Sequence, residues 1–393
     1  MLKAADALAD EGYDVVVVAT SSTAWAKEAD RDVLERRHGR FRIEIIDYSR
    51  AHGRFLQLKS GLRRRLARSY ASRTNDVSFR LTTRAFARVH EELVHAAAAT
   101  SADFYYGGTT GGIAAAFEAA SETGSSYALD LEDFFTGEPP EGSLDARLAE
   151  RIERAVLPGA RFLTASSGPI AEAYGRKYGV AVETIHNVFP LPAETPVVAP
   201  RLEGPLRLYW FSQTIGPGRG LEDAIESAGR ARIRCELHLR GAAADDYREA
   251  LRELGRRKAP SLALAIHEPG FPDEMIELAT PFDVGLSLEQ PSSMNRALCL
   301  TNKALVYPLA ALAVAMTDTP GQRALASELG DEALVVPAGD VEALADGLKR
   351  FANDRRHLGE CRTASWSSAI RRWHWEHAEE RGKLLGLFEA ATR

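Results

Sequence analysis

Two successive runs of alternating strand-like and helix-like segments, parted by a proline-rich break, constrain this chain more than any other feature. The first run holds "DVVVVAT" (Asp14 to Thr20), "FRIEIIDY" (Phe41 to Tyr48), "DFYYGG" (Asp103 to Gly108), "SSYALDL" (Ser125 to Leu131) and "RFLTASS" (Arg161 to Ser167). An unbroken valine run such as the first suits a parallel strand buried on both faces. Helix-patterned stretches such as "TGGIAAAFEAASETG" and "GPIAEAYGRKYG" lie between the strands. Strand–helix alternation means an α/β sheet with crossover helices.

"NVFPLPAETPVVAPRLEGP", Asn187 to Pro205, breaks the pattern: it is rich in proline, lacks periodicity and reads as a linker. The alternation then restarts with "LRLYWFSQ", "RCELHLRG", "LALAIHEPG", "FDVGLSLEQ", "LAVAMTDT" and "EALVVPAGD", spaced by helical segments, so a second doubly wound domain is expected. The expected division is a first Rossmann-like domain over residues 1–190, a linker over 191–204, a second Rossmann-like domain over 205–369 and a terminal helical stretch over 370–393. Domains of this kind ordinarily open on a strand, whereas this sequence opens on the helical "LKAADALADEG". An upstream strand and glycine-rich loop of about 20–40 residues is therefore expected.

Composition narrows the function classes. The formal net charge of -6 excludes a globally polycationic nucleic-acid binder. Three cysteines, Cys235, Cys299 and Cys361, are odd in number and far apart, which argues against a disulfide framework or structural zinc and fits a reducing cytoplasm. The opening residues lack the apolar core of a signal peptide, and apolar runs such as "ALVYPLAALAVAM" are too short to span a bilayer.

Two stretches carry chemistry. "WFSQTIGPGRGLEDAI" runs from a strand through Gly216, Gly218, Arg219 and Gly220 into a helix. Glycines permit positive-φ geometry, the helix N-terminus offers unpaired N–H groups to an anion, and Arg219 adds a fork of donors suited to phosphate. The turn is neither a dinucleotide fingerprint nor a Walker A loop, and a tight strand-to-helix turn with an exposed arginine is an equally simple reading. The second stretch, "LSLEQPSSMNRALCLTNKALVYPLAALAVAMTDTPGQ", places Glu289 at a strand end, where a carboxylate can accept hydrogen bonds from sugar hydroxyls, and Lys303 at the start of a helix.

Taken in order, "GPGRGLEDAI", "LEQPSS", "LTNKALVYPLAALAVAMTDTPGQ", "EALVVPAGDVEALADGL" and a Trp-rich terminal helix resemble the nucleotide-sugar domain of GT-B glycosyltransferases of the retaining family 4 type. "YALDLEDFFTGE" resembles the strand and loop that carry the acceptor-side acid or histidine of that family. The resemblance covers nearly the whole chain, with its more specific motifs in the second half. It implies an α/β GT-B fold of two Rossmann-like, doubly wound domains facing a cleft, with a C-terminal helix crossing back to the acceptor-side N-terminal domain.

The activity implied is metal-independent transfer of a hexosyl group from a nucleotide-sugar to an acceptor hydroxyl, with retention, in polysaccharide or glycoconjugate biosynthesis. The donor is a substrate, and no cofactor is implied. By resemblance, Arg219 and Lys303 hold the diphosphate, Glu289 binds the donor sugar, Ser292 and Ser293 line the same loop, and Glu132 and Asp133 face a saccharide or lipid-linked acceptor. Two positions depart from the family pattern: Gln213 stands where a phosphate-binding arginine is usual, and Val306 where a glutamate binds the ribose. A catalytically inactive protein that binds a sugar or a partner is therefore the second reading. A GT-B epimerase would want histidine and acid groups in the donor loop, where none are seen.

Three further features have their own readings. Arg54 to Arg73 holds seven Lys/Arg and no acid, and it reads either as a solvated basic face or as a peripheral contact with the inner face of the membrane. His374 and His377 share a helix face but want a third ligand for metal binding. Asp130 and Glu132 share a strand face, as a paired-carboxylate hydrolase would need, but nothing else supports that chemistry.

Overall fold

The computed structural model describes residues 1–22, 31, 33–51, 53–74 and 76–393. The chain divides into two compact units, Met1–His186 with Arg381–Arg393, and Asn187–Glu380.

In the first unit, β1 (Val16–Ser21) pairs in parallel with β2 (Arg42–Asp47) as one small sheet. β3 (Phe104–Gly108), β4 (Ser126–Leu131), β5 (Leu163–Ala165) and β6 (Glu183–Thr184) form a second parallel sheet in that order. The valines of β1 are only half-buried rather than covered on both faces, and among the described residues the strand pairs with β2 alone. Helix Thr109–Thr123 follows β3 and turns its alanines and Ile113 to the core, ending on Gly124 in the left-handed region (φ 75°). The last helix, Lys383–Thr392, belongs to this unit. Its Phe388 sets an edge against Phe104, Tyr106 and Phe162 at centroid distances of 5.5, 5.2 and 5.1 Å. Such edge-to-face pairs stabilise by about 0.5–1.5 kcal/mol beyond their area.

The second unit is one parallel sheet. β7 (Leu206–Ile215), β8 (Cys235–Ala243), β9 (Ala263–His267), β10 (Val284–Ser287), β11 (Ala313–Thr317) and β12 (Leu334–Val336) are ordered β12-β11-β10-β7-β8-β9. The chain builds outward from β7 through β8 to β9, then returns to the other side of β7 and builds outward again through β10 to β12. The strand order therefore reverses between the neighbours β7 and β10.

Central position explains composition. β11 is buried along its whole length and β7 buries Leu208, Tyr209, Trp210 and Phe211 in succession, as central strands do, whereas β8 buries Cys235, Leu237 and Leu239 and leaves Glu236, His238 and Arg240 half-exposed. Helix Leu221–Ala231 buries Leu221, Ala224, Ile225 and Ala228, one helical face. Gly229 is required where it stands, since a Cβ there would overlap the Lys258 carbonyl oxygen.

The proline-rich stretch carries no helix or strand, and its end is fixed by charge. Asp283, fully buried at the foot of β10, pairs with Arg201 at 2.9 Å and Arg362 at 3.6 Å and accepts the Arg207 amide at 2.8 Å. Arg362 also donates to the carbonyls of Ala311 (2.8 Å) and Val197 (2.7 Å). Residues 370–380 lie with this second unit rather than with the terminal helix. Helix Arg355–Arg371 runs on to buried Trp373, whose indole N–H donates to Glu328 at 2.7 Å, and the Trp375 amide donates to the Phe189 carbonyl at 2.9 Å.

Candidate functional site

In an open parallel sheet, ligands collect at the carboxyl ends of the strands where the strand order reverses. Here the two strands at that point are β7 and β10, and the two stretches singled out by chemistry follow them directly. The glycine turn leaves β7, and Glu289 leaves β10.

The turn divides into an open half and a packed half. Gly218 (φ 72°) and Gly220 (φ 71°) occupy the left-handed region that side chains rarely adopt, so glycine is required at both. A Cβ on Gly216 or Gly218 would touch nothing within 4 Å, whereas one on Gly220 would overlap the Leu288 carbonyl oxygen. Gly220 therefore lets the start of helix Leu221–Ala231 close onto the end of β10. Gln290 fastens the two loops, donating from its Nε2 to Asp223 Oδ2 at 2.9 Å.

Glu289 and Lys303 meet each other. Only 3% and 6% exposed, they form an ion pair with Lys303 Nζ 2.8 Å from Glu289 Oε1. Helix Asn302–Leu309 begins one residue before Lys303 and aims it back at β10, and the ammonium also lies 5.5 Å from the Trp210 ring centroid on β7. Arg296 approaches the other carboxylate oxygen at 3.9 Å. Burial by itself would raise the Glu289 carboxyl, but Lys303, then Arg219 and Arg296, hold it below its ordinary range. One carboxylate thus faces three cationic groups, a surplus of positive charge in a dry setting at the mouth of a parallel sheet. Such a site suits an anionic ligand that also carries hydroxyls.

The remaining expected residues have mixed placements. Ser293 caps the short helix Met294–Leu298, its hydroxyl accepting from the Arg296 amide at 3.2 Å. Ser292 is exposed and its amide turns back to the Gln290 carbonyl at 2.7 Å. Gln213 is exposed, in the irregular part of β7 between Phe211 and Thr214. Val306 is fully buried within helix Asn302–Leu309, so as it stands it offers no surface to a ribose.

Sequence reasoning did not single out Gln322. Its amide nitrogen donates to the Ser287 carbonyl (3.2 Å), the Thr317 carbonyl (3.0 Å) and the Thr317 hydroxyl (3.0 Å), and its oxygen accepts from Ser287 Oγ at 2.5 Å. Thr317 Oγ1 in turn donates to the Glu289 carbonyl at 2.8 Å. A fully buried glutamine, hydrogen-bonded through both its amide nitrogen and its oxygen, ties the ends of β10 and β11 beneath Glu289. The only signal for it was its place after "TDTPG" at a strand end.

In the first unit, Glu132 and Asp133 follow β4 at its carboxyl end. Asp130 sits just before them and accepts from Thr164 Oγ1 at 3.0 Å, and Tyr106 OH lies 2.8 Å from the same hydroxyl. Burial raises the Asp130 carboxyl, and burial followed by the neighbouring Asp130 charge raises Glu132. The loop is braced from behind. Ser166 Oγ donates to the Glu132 carbonyl, and Tyr174 OH donates to the Asp133 carbonyl at 3.0 Å. Buried Glu153, also missed by sequence reasoning, gathers Tyr174 (2.8 Å), Tyr178 and Thr136. Its signal was an acid on the apolar face of helix Leu144–Val156.

His374 and His377 stack edge to face at 5.7 Å, with His374 beside Glu376. Among the described residues, no group of three or more His, Cys, Asp or Glu could hold a metal ion.

No family model matches this sequence, and no match was found among curated proteins. Solved structures do match. HepE of Anabaena, solved with UDP and glucose, superposes over 99% of this chain and 94% of its own at 15% identity and a TM-score of 0.68. A glycosyltransferase from Rickettsia africae covers 100% of this chain and 94% of its own at 11% identity and a TM-score of 0.65. Sucrose-phosphate synthase from Thermosynechococcus elongatus covers 77% and 78% at 14% identity and a TM-score of 0.62. Two parallel-sheet units with the reversal between β7 and β10, and these full-length superpositions, establish that the chain has the GT-B fold seen in solved glycosyltransferases.

Proposed function

We propose that the protein is a glycosyltransferase whose donor is a nucleotide-sugar bound at the carboxyl ends of β7 and β10. The buried Glu289–Lys303 pair beside the glycine turn carries this reading. Lys303 and Arg219 would neutralise the diphosphate of the donor, the amides of the glycine turn would add hydrogen bonds, and Glu289 would take hydroxyls of the donor sugar. The likeness to HepE, solved with UDP-glucose, favours UDP as the nucleotide.

In the transfer, the bond between the anomeric carbon and the diphosphate oxygen breaks, the acceptor oxygen bonds to that carbon, and the acceptor hydroxyl gives up its proton. The carboxylates of Glu132 and Asp133 would serve the acceptor, and burial with the neighbouring Asp130 charge, which raises the Glu132 carboxyl, makes it a better proton acceptor than an ordinary carboxylate. Retention, a hexosyl donor, a saccharide or lipid-linked acceptor and a role in polysaccharide or glycoconjugate assembly follow from the family resemblance.

Thermal unfolding in a panel of nucleoside diphosphate sugars tests the donor. A bound donor raises apparent stability by mass action, about 2.7 kcal/mol at a hundred times its dissociation constant. A panel that leaves unfolding unchanged throughout contradicts the reading. Departures at Gln213 and Val306 favour the alternative of an inactive sugar-binding protein. A donor that binds, yet is neither hydrolysed nor transferred to any acceptor, would support that alternative.

A further inference from the structure

Helix Arg54–Ala71 in the first unit is inside out relative to an ordinary packed helix. Its inward face carries small and basic residues: Ser60, Ala67 and Ala71 are buried. Arg63 is clamped by Glu91 and Glu92 at 2.6 Å, Arg68 pairs with Asp145, and Arg64 donates to the Ala85 carbonyl at 3.3 Å. The large apolar side chains point the other way. Phe55, Leu58, Leu62, Leu66 and Tyr70 are 82%, 73%, 61%, 65% and 54% exposed. Their spacing stacks them into one stripe about 22 Å long and about 120° wide at helical geometry.

Lys59 flanks the stripe on one side, Arg54 and Arg65 on the other, and Arg73 stands beyond its end, all exposed. No acidic residue occurs from Arg54 to Arg73. The paired arginines beneath hold the helix in this orientation, so the stripe is a built surface.

We propose that this face docks on an anionic lipid surface, lying in the headgroup region with the five apolar side chains turned into the acyl boundary. Charge complementarity selects this occupant. Exposed cations on both flanks match a surface of negative headgroups, and a phenylalanine and a tyrosine at the two ends suit the boundary between water and lipid. A second copy of the chain would set the same row of cations against itself, which is repulsive. The helix lies on the membrane rather than in it, since among the described residues no helix is long and apolar enough to cross one. The proposal rests on this surface alone and is independent of the donor site.

The test is co-sedimentation of the full chain with phosphatidylcholine vesicles and with vesicles carrying about 30% phosphatidylglycerol, at low and high salt. Binding to the anionic vesicles, weakened by salt, is expected. Leu58→Ser/Leu62→Ser/Leu66→Ser should lower the partition coefficient by at least about tenfold, because it removes three of the five apolar anchors. Lys59→Gln and Arg65→Gln should each lower it about fivefold. The thermal unfolding of the triple variant should match the wild type, since the three side chains are already in water, which separates lost docking from lost folding. Absence of binding to anionic vesicles, equal binding to neutral ones, unchanged binding by the triple variant, or a soluble dimer that the triple variant dissolves would each overturn the proposal.

Discussion

Glu289→Gln should destabilise the second unit strongly, because it leaves Lys303 charged, buried and unpaired. The two groups are 3% and 6% exposed and 2.8 Å apart, and the cations Arg219 and Arg296 add to the charge left behind. Removing one partner of a buried pair destabilises by about 3–5 kcal/mol. For a unit of this size, each kcal/mol lowers the melting temperature by about 2–4 °C, so a fall of about 6–20 °C is expected. Glu289→Gln/Lys303→Met should recover more than half of it, since replacing both charges by uncharged groups of similar volume is nearly neutral in such pairs.

The pH dependence has a fixed sign. The folded carboxyl is held below its ordinary value of 4.5, so its contribution is complete above that value and is lost as pH falls through the lower folded value. Glu289→Gln should therefore lose most stability at neutral pH and converge on the wild type in acid. Thermal unfolding followed by circular dichroism at neutral and acid pH measures both effects. A Glu289→Gln protein that melts within about 1 kcal/mol of the wild type at neutral pH would refute the claim that this pair is buried and mutually required.

Other substitutions probe the same architecture. Val306→Glu should melt far lower without tightening donor binding, because Val306 is fully buried and an unpartnered carboxylate there costs several kcal/mol; tighter binding at unchanged melting would show that the helix can turn this position into the site. Gly220→Ala should destabilise by about 1–3 kcal/mol and weaken nucleotide binding, since it combines a left-handed φ of 71° with a clash against the Leu288 carbonyl; an unchanged melt would mean that the turn is not packed on β10. Gln322→Leu should cost about 1–3 kcal/mol by removing the buried amide's hydrogen bonds to the Ser287 and Thr317 carbonyls and to the Ser287 hydroxyl, a loss that chemical denaturation reads directly.

The strands were legible because their apolar runs are bounded by polar or glycine-rich turns, and the reversal between β7 and β10 is what turns two separate motifs into neighbours. β6, only two residues long, left no pattern to find. The Glu289–Lys303 contact is not legible in the sequence, where each residue suits a different part of a ligand and nothing pairs the two. Their meeting depends on where helix Asn302–Leu309 starts relative to β10. Val306 matches a ribose-binding position in the resemblance, but helical phase puts it in the core.

Helix Arg54–Ala71 shows the limit from the other side. Its charge was evident, but an amphipathic pattern does not say which face is inward, and the expectation that leucines pack and arginines are solvated is reversed here by Glu91, Glu92 and Asp145.

Calorimetric titration of UDP into the wild-type protein and into Arg219→Ala tests the central claim, that the ends of β7 and β10 hold a nucleotide-sugar through its diphosphate. Arg219 stands in the glycine turn and its charge reaches Glu289, so loss of a charged hydrogen bond to phosphate should weaken binding by about 1.5–3 kcal/mol, roughly tenfold to 150-fold, with folding unchanged. Saturable binding by the wild type and that loss in the variant are the predicted result. Equal affinity for the two proteins, or no binding of UDP or any other nucleoside diphosphate to the wild type, would contradict it.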